Sequence, residues 1–116
     1  MAFSENETEA ILGQLEEGFW AHCRPPLHLR DKVREGQRID GQSIELFLVR
    51  PAFRRPGEEI EEAIAKIRYV RSRDAWAIYW QRADLKWHLY EPCPETETLS
   101  AALAKIREDE HACFFG

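Results

Sequence analysis

The sequence predicts an α+β domain: a five-stranded antiparallel meander sheet with an N-terminal and a C-terminal helix packed on one face. Three observations predict it. Through residues 64–92, IAKIRYVRSRDAWAIYWQRADLKWHLYEP, apolar and polar residues alternate with the period of half-buried strands. Turn residues cut that alternation into hairpins. Toward the two ends of the chain, apolar residues recur at helical spacing instead.

The first helix is expected over about residues 4–21. Ser4 followed by Glu7 fits a capping box, and Ile11, Leu12, Leu15 and Phe19 then supply an apolar face. Gly13 and Gly18 each cost about 1 kcal/mol in a helix interior relative to alanine, so this helix must lean on tertiary packing. Arg24, Pro25 and Pro26 end it.

The sheet is expected over about residues 27–90. From Leu27 to Ile39, His28, Arg30, Lys32, Arg34 and Arg38 alternate with Leu27, Leu29, Val33 and Ile39, which reads as a strand with a basic edge. Asp40-Gly41 is a hairpin signal, because both central positions of the preferred turn need positive φ. With that turn, Val33 faces Leu48 and Glu35 faces Leu46 inside, while Arg34 faces Phe47 and Lys32 faces Val49 outside. Asp31 then opposes Arg50, and an ion pair is the expected use of that carboxylate.

Arg50-Pro51 stops the second strand. Residues 53–57 form a Pro/Gly loop leading into the acidic run Glu58, Glu59, Glu61 and Glu62. Ile60, Ala63, Ile64 and Ile67 also fit a helix turn, so the segment before Ala63 reads as helix or loop. Beyond it, a tight turn at Arg73-Asp74 sets Arg71 against Trp76, Tyr69 against Ile78 and Ile67 against Trp80. A loop from Ala83 to Lys86 then sets Trp87 against Arg82 and Leu89 against Trp80. Every large apolar residue of these three strands falls on one face. Lys66, Arg68, Tyr79, Gln81, His88 and Tyr90 fall on the other.

After a connector from Pro92 to Thr98, Leu99, Ala102, Leu103 and Ile106 mark one side of a second helix, expected over about residues 97–109. The tail HACFFG carries paired phenylalanines that are costly to expose, so it is expected to pack back on the sheet.

The chain has 116 residues and 44% apolar content with four tryptophans, which suits one domain, residues 1–116, with one core and no staples. No run approaches the roughly 18 apolar residues of a bilayer span, so no membrane partner is expected. The N-terminus, MAFSENETEA, lacks a cationic region followed by an apolar one, and a cytoplasmic location is expected. Three cysteines, Cys23, Cys93 and Cys113, are an odd and scattered set that fits reduced thiols better than a disulfide framework.

The net charge of −5 is unevenly spread. Residues 1–23 carry five acids and no Lys or Arg, and residues 89–116 carry six acids and two bases. Residues 24–88 hold fourteen bases and ten acids. The sheet is therefore the cationic part of an acidic chain, which can steer an anionic partner without indiscriminate polyanion binding.

Catalytic and metal signatures do not hold together. Residues 36–43, GQRIDGQS, resemble a phosphate-binding loop, but Gln42 stands where the phosphate-contacting lysine belongs, and the segment joins two strands. His22, Cys23, Cys93, His111 and Cys113 are enough ligands for one zinc, yet no pair has the short spacing that pre-forms half a site. Neither metal nor cofactor is expected. Cys23 beside His22 points about 100° away from it on a helix, which does not activate a thiol. No catalytic residue is assigned.

The segment AKIRYVRSRDAWAIYWQRADLKWHLY and the closing CFFG resemble an uncharacterised bacterial family, catalogued as domain of unknown function 3024. The resemblance runs from about Arg24 to Gly116. Its most specific part is Lys66-Ile67-Arg68-Tyr69, then Tyr79-Trp80, Lys86-Trp87-His88 and Tyr90. It implies a compact bacterial domain with its relatives' strand order, and it brings no activity, cofactor or partner. The cysteines lie outside the motif.

The residues themselves point to a small non-enzymatic binding or accessory domain. Its outer sheet face would engage an anionic or aromatic ligand, single-stranded nucleic acid among the candidates, through Arg34, Arg38, Lys66, Arg68, Tyr79, His88 and Tyr90. Cations contact phosphate and exposed aromatics stack on bases. The competing class is a protein-interaction or homodimerisation module that uses the same face or an unpaired strand edge.

Overall fold

The first helix starts where its cap residues put it. In the computed structural model, which describes residues 2–115, the Ser4 hydroxyl accepts from the Glu7 backbone N–H at 3.1 Å. The Ser4 N–H donates to the Glu7 carboxylate at 2.9 Å, completing the capping box. Helix α1 (Glu5–Leu15) continues through a π turn at Glu16–Trp20 into a last short turn, α2 (Ala21–Cys23). With the π turn, both Phe19 and Trp20 are buried in the core, and the Trp20 indole donates to the Gln37 side-chain oxygen at 3.0 Å. Leu12 was expected in the core but is exposed, because it sits one helical step past Ile11 and off the buried stripe.

Residues 27–33 are not strand, contrary to expectation. Leaving Pro25-Pro26, the chain winds into a 3-10 turn at Leu27–Leu29, where the Leu29 N–H donates to the Pro26 carbonyl at 2.9 Å. The Val33 N–H donates to the Leu29 carbonyl at 2.7 Å, and the Arg30 guanidinium holds the Pro25 carbonyl at 2.8 Å. Local bonds thus take the donors that a ladder would need, and β1 (Arg34–Asp40) begins only at Arg34.

Among the described residues, β1 is followed by β2 (Ser43–Pro51), β3 (Glu59–Val70), β4 (Ala75–Gln81) and β5 (Trp87–Leu89) in that sheet order, all antiparallel, with a sixth strand beside β4. Gly41 (φ 61°) and Gln42 close the first hairpin, so β2 (Ser43–Pro51) is displaced by two residues from the expected register. A two-residue shift preserves parity. Glu35, Gln37 and Ile39 still share the inner face with Ile44, Leu46 and Leu48, and the outer face still carries Arg34, Arg38 and Phe47. The expected Asp31–Arg50 pair does not form. Asp31 lies in a turn, Arg50 pairs with Glu62 at 3.0 Å, and Glu35 pairs with Arg24.

The acidic run is neither helix nor loop. It is the first part of the long strand β3 (Glu59–Val70), because β2 reaches Pro51 and pairs with it residue by residue. One extra residue, Ile64, bulges between Phe47↔Ala63 and Leu46↔Ala65, and its side chain joins the core. That bulge is the physical source of the helix-like spacing Ile60, Ala63, Ile64 and Ile67.

A 3-10 turn at Arg71–Arg73, closed by Asp74 in the left-handed region (φ 46°), leads to β4 (Ala75–Gln81). The register is again two residues from expectation, with Ile67 facing Ile78 and Tyr69 facing Trp76, and parity again survives.

The third hairpin differs in kind. Arg82 and Lys86 are bonded across a three-residue turn, Ala83-Asp84-Leu85, rather than the expected four-residue loop. The one-residue difference inverts β5 (Trp87–Leu89). Trp87 and Leu89 share the outer face with Gln81 and Tyr79, while His88 faces the Trp80 side. Tyr90 follows His88 inward and is only 3% exposed, against the expectation that both lie on the polar face.

Part of the expected connector is a short strand, β6 (Glu95–Thr96), paired with Trp76 and Ala77 of β4. Thr98 caps α3 (Leu99–Glu108) by accepting from the Ala101 N–H at 3.1 Å. Leu99, Ala102, Leu103 and Ile106 then bury against the inner sheet face and the first helix. Asp109, left-handed at φ 42°, stops α3, and its carboxylate accepts from the N–H groups of Phe114 and Phe115 at 2.9 and 2.8 Å. The tail therefore folds back as expected, with Phe114 against Tyr90 at 4.8 Å between ring centroids.

Candidate ligand-binding face

The helices and the tail cover the inner face of the sheet, and among the described residues no element covers the outer one. What that face offers is decided by which of its cations already have acids. Arg34 is held by Glu59 at 2.5 and 2.9 Å. Arg38 is shared between Glu45 at 3.0 Å and Glu61 at 2.7 Å, and its guanidinium covers the Phe47 ring, 4.9 Å from the centroid. The paired arginines titrate above the usual guanidinium value, through the hydrogen bonds to Glu59 and to Glu61 and Glu45 respectively. Both side chains are thereby spoken for.

Lys66 and Arg68 form no ion pair among the described residues. They lie two residues apart on β3, about 7 Å along the strand. Lys66 is directly opposite Tyr79, which in turn faces Leu89. One step further along, Gln81 faces Trp87, and Lys86 precedes it at the turn, also without an acid partner. A track results: Arg68, Lys66 with Tyr79, then Trp87, whereas Lys86, paired across the turn with Arg82, takes the reverse side. Between Phe47 and Trp87 the surface dips over Ala63 into a hollow of about 250 Å³, rimmed by Arg38, Glu61 and Gln81.

Of the seven residues singled out from the sequence, Lys66, Arg68 and Tyr79 are brought together. Arg34 and Arg38 share the face but are neutralised, and His88 and Tyr90 lie on its reverse. The sequence reading missed Trp87. A signal for it exists: aspartate hydrogen-bonds readily to the backbone two residues on, so Asp84-Leu85-Lys86 favours the shorter turn that sends Trp87 outward.

On the reverse side, a cleft of about 490 Å³ opens beside β5, lined by Trp80, Arg82, His88, Tyr90, Glu91 and His111 among others. The Arg82 guanidinium lies 5.4 Å from the Trp80 ring centre. His88 contacts the Asp84 carboxylate at 2.9 Å. Burial raises the Tyr90 phenol and the Cys113 thiol, which keeps both protonated near neutral pH. Burial likewise raises the Cys23 thiol, against the opposing charge of Arg107. These are not thiolate nucleophiles.

Burial also pushes the Glu35 carboxyl up, but Arg24 outweighs it and holds the group below the usual range. Glu35 is therefore an ionised partner of a guanidinium rather than a poised acid. Among the described residues, no three His, Cys, Asp or Glu side chains stand close enough to hold a metal ion, and no helix is long and apolar enough to cross a membrane.

The fold and the face define a two-layer α+β domain with one open, mixed-charge and aromatic sheet surface. The chain belongs to a family known as a domain of unknown function (DUF3024), whose family model matches residues 3–116 and so includes the first helix. No curated protein and no solved structure matches it.

Proposed function

We propose that the chain is a small non-enzymatic binding domain, bacterial and cytoplasmic, that holds an anionic ligand on the outer face of its sheet. Single-stranded nucleic acid is the ligand class this face suits best. The observation that carries the reading is the pair Lys66 and Arg68, left without acids beside Tyr79 on an uncovered sheet, with Trp87 continuing the line. Cations at strand spacing meet successive phosphates, and the two aromatic rings accept stacked bases. The unpaired state of the three cysteines agrees with a reducing compartment.

The test is fluorescence anisotropy of labelled single-stranded RNA and DNA across a salt series. Contacts from Lys66 and Arg68 give a log–log salt slope of about −1.4 for a single strand. Arg68→Glu weakens binding and flattens that slope. Trp87→Ala costs about 1–3 kcal/mol at constant slope, the signature of lost stacking. Absence of binding at low salt refutes the nucleic-acid reading.

A second reading, an interaction or homodimerisation module, is favoured by the β1 edge, which pairs with β2 on one side only. Its sign is an oligomer that grows with protein concentration in light scattering without added ligand.

A further inference from the structure

Among the described residues, the three large apolar side chains most exposed are Phe53 at 93%, Leu27 at 80% and Leu85 at 76%. Each lies in a different loop: Leu27 in residues 24–33 between α2 and β1, Phe53 in residues 52–58 between β2 and β3, and Leu85 in residues 82–86 between β4 and β5. The meander brings all three loops to one end of the sheet. β1 starts there, β2 and β4 finish there, and β3 and β5 depart from there.

Scattered single leucines on a surface mean little. Here the placement is not scattered, and it coincides with charge. The three loops hold seven Lys or Arg against three acids, a net charge of +4 in a chain of −5, which leaves −9 for everything else. Arg54 sits beside Phe53, and Arg82 and Lys86 flank Leu85. The same end carries apolar tips and a net positive charge, with seven of the chain's sixteen Lys and Arg.

We propose that this loop end docks on an anionic lipid surface, with Phe53, Leu27 and Leu85 entering the headgroup–acyl boundary and Arg30, Lys32, Arg54 and Lys86 meeting lipid phosphates. Apolar side chains at protruding tips, ringed by bases, combine the two attractions that hold a protein to a bilayer interface. Lipid accounts for the tips better than nucleic acid does, because two of the three are aliphatic and offer no ring for a base to stack on. The acidic remainder of the molecule is repelled by the same surface, which orients the domain loop end down. No spanning segment is needed, so the expectation of no membrane partner, drawn from the lack of a span, does not bear on such docking. The site is separate from Lys66, Arg68 and Tyr79, and stands or falls apart from the nucleic-acid reading.

The test is co-sedimentation of the full chain with vesicles of phosphatidylcholine alone and of phosphatidylcholine with 30% phosphatidylglycerol, a composition of about the anionic density that polybasic segments recognise. The expected result is retention on the anionic vesicles and none on the neutral ones. Phe53→Ser combined with Leu85→Ser lowers the bound fraction at least fivefold while the circular dichroism melt is unchanged, since neither side chain is packed. Arg54→Glu lowers it as well, and Arg68→Glu leaves it intact. No retention on anionic vesicles overturns the proposal, as does retention that the double serine variant leaves unchanged. Loss of retention with Arg68→Glu overturns it too, by moving the contact to the sheet face.

Discussion

The Asp84 carboxylate accepts a hydrogen bond from the backbone N–H of Lys86 at 2.9 Å. This contact closes the three-residue turn after β4, and with it the phase of β5. Leu85 sits in the left-handed region at φ 63° between them. A longer turn by one residue would send Tyr90 to solvent and Trp87 into the core.

Asp84→Ala is therefore expected to loosen β5 selectively. The amide of Tyr90, which donates to the Ile78 carbonyl at 2.8 Å, should exchange faster with solvent, while amides of the β1–β2 hairpin keep their protection. Unchanged exchange at Tyr90 would show that packing of its ring alone sets the phase. The Lys86 N–H, and then His88, hold the Asp84 carboxyl below its usual range, so this contribution is present above the ordinary aspartate pKa and fades as pH falls through the depressed value.

Gly36 lies beneath the Phe47 ring across the β1–β2 ladder. A Cβ there would come within 2.9 Å of Phe47 Cζ and closer still to Cε2. Gly36→Ala should cost about 1–3 kcal/mol in urea unfolding, the usual range for forcing atoms into a packed site. Adding Phe47→Leu to that variant should restore part of the loss. Neutral behaviour of Gly36→Ala would mean that the ring swings aside freely.

The tail is a fastener rather than a loose end. Phe114 is 6% exposed against Tyr90, so Phe114→Ala should cost about 3 kcal/mol. Asp109→Ala removes the acceptor for two backbone donors and should cost about 1–3 kcal/mol. Because both act through one segment, the double variant should lose less than the sum. Full additivity in denaturant titrations would separate the two effects.

Glu7 provides a test in pH. The Arg71 guanidinium, followed by the Ser4 backbone N–H, holds its carboxyl down at about 2, from an ordinary value of 4.5. With the folded-state value depressed, the stabilisation is complete above about 4.5 and is lost as pH falls toward about 2. The melting temperature of Glu7→Gln should therefore approach that of the wild type across this window and lie below it at neutral pH. A constant offset at every pH would rule out the ionised pair as the cause.

Much of the fold is legible in the sequence because hydrophobic parity is a local property. Ile67, Ile78, Ile44 and Leu46 reach the correct face in two hairpins whose registers are each displaced by two residues, since an even shift moves partners without moving faces. Ser4 and Glu7 likewise announce the first helix, and Leu99 to Ile106 the last, through contacts within a turn or two. The open sheet face and its cations Lys66 and Arg68 are legible for the same reason.

Tertiary structure alone decided the rest. Whether Arg34 and Arg38 are available to a ligand depends on Glu59 and Glu61, more than twenty residues away, which approach only because β3 extends back along all of β2. The side on which His88, Tyr90 and Trp87 emerge hangs on one residue in a turn, where an odd change inverts a whole strand. And the gathering of Leu27, Phe53 and Leu85 at a single end follows from the order of the meander, which no local pattern around any one of them encodes. Side-chain alternation is written between neighbours, whereas pairing, turn phase and the joining of distant loops are settled by which contacts the closed chain can satisfy together.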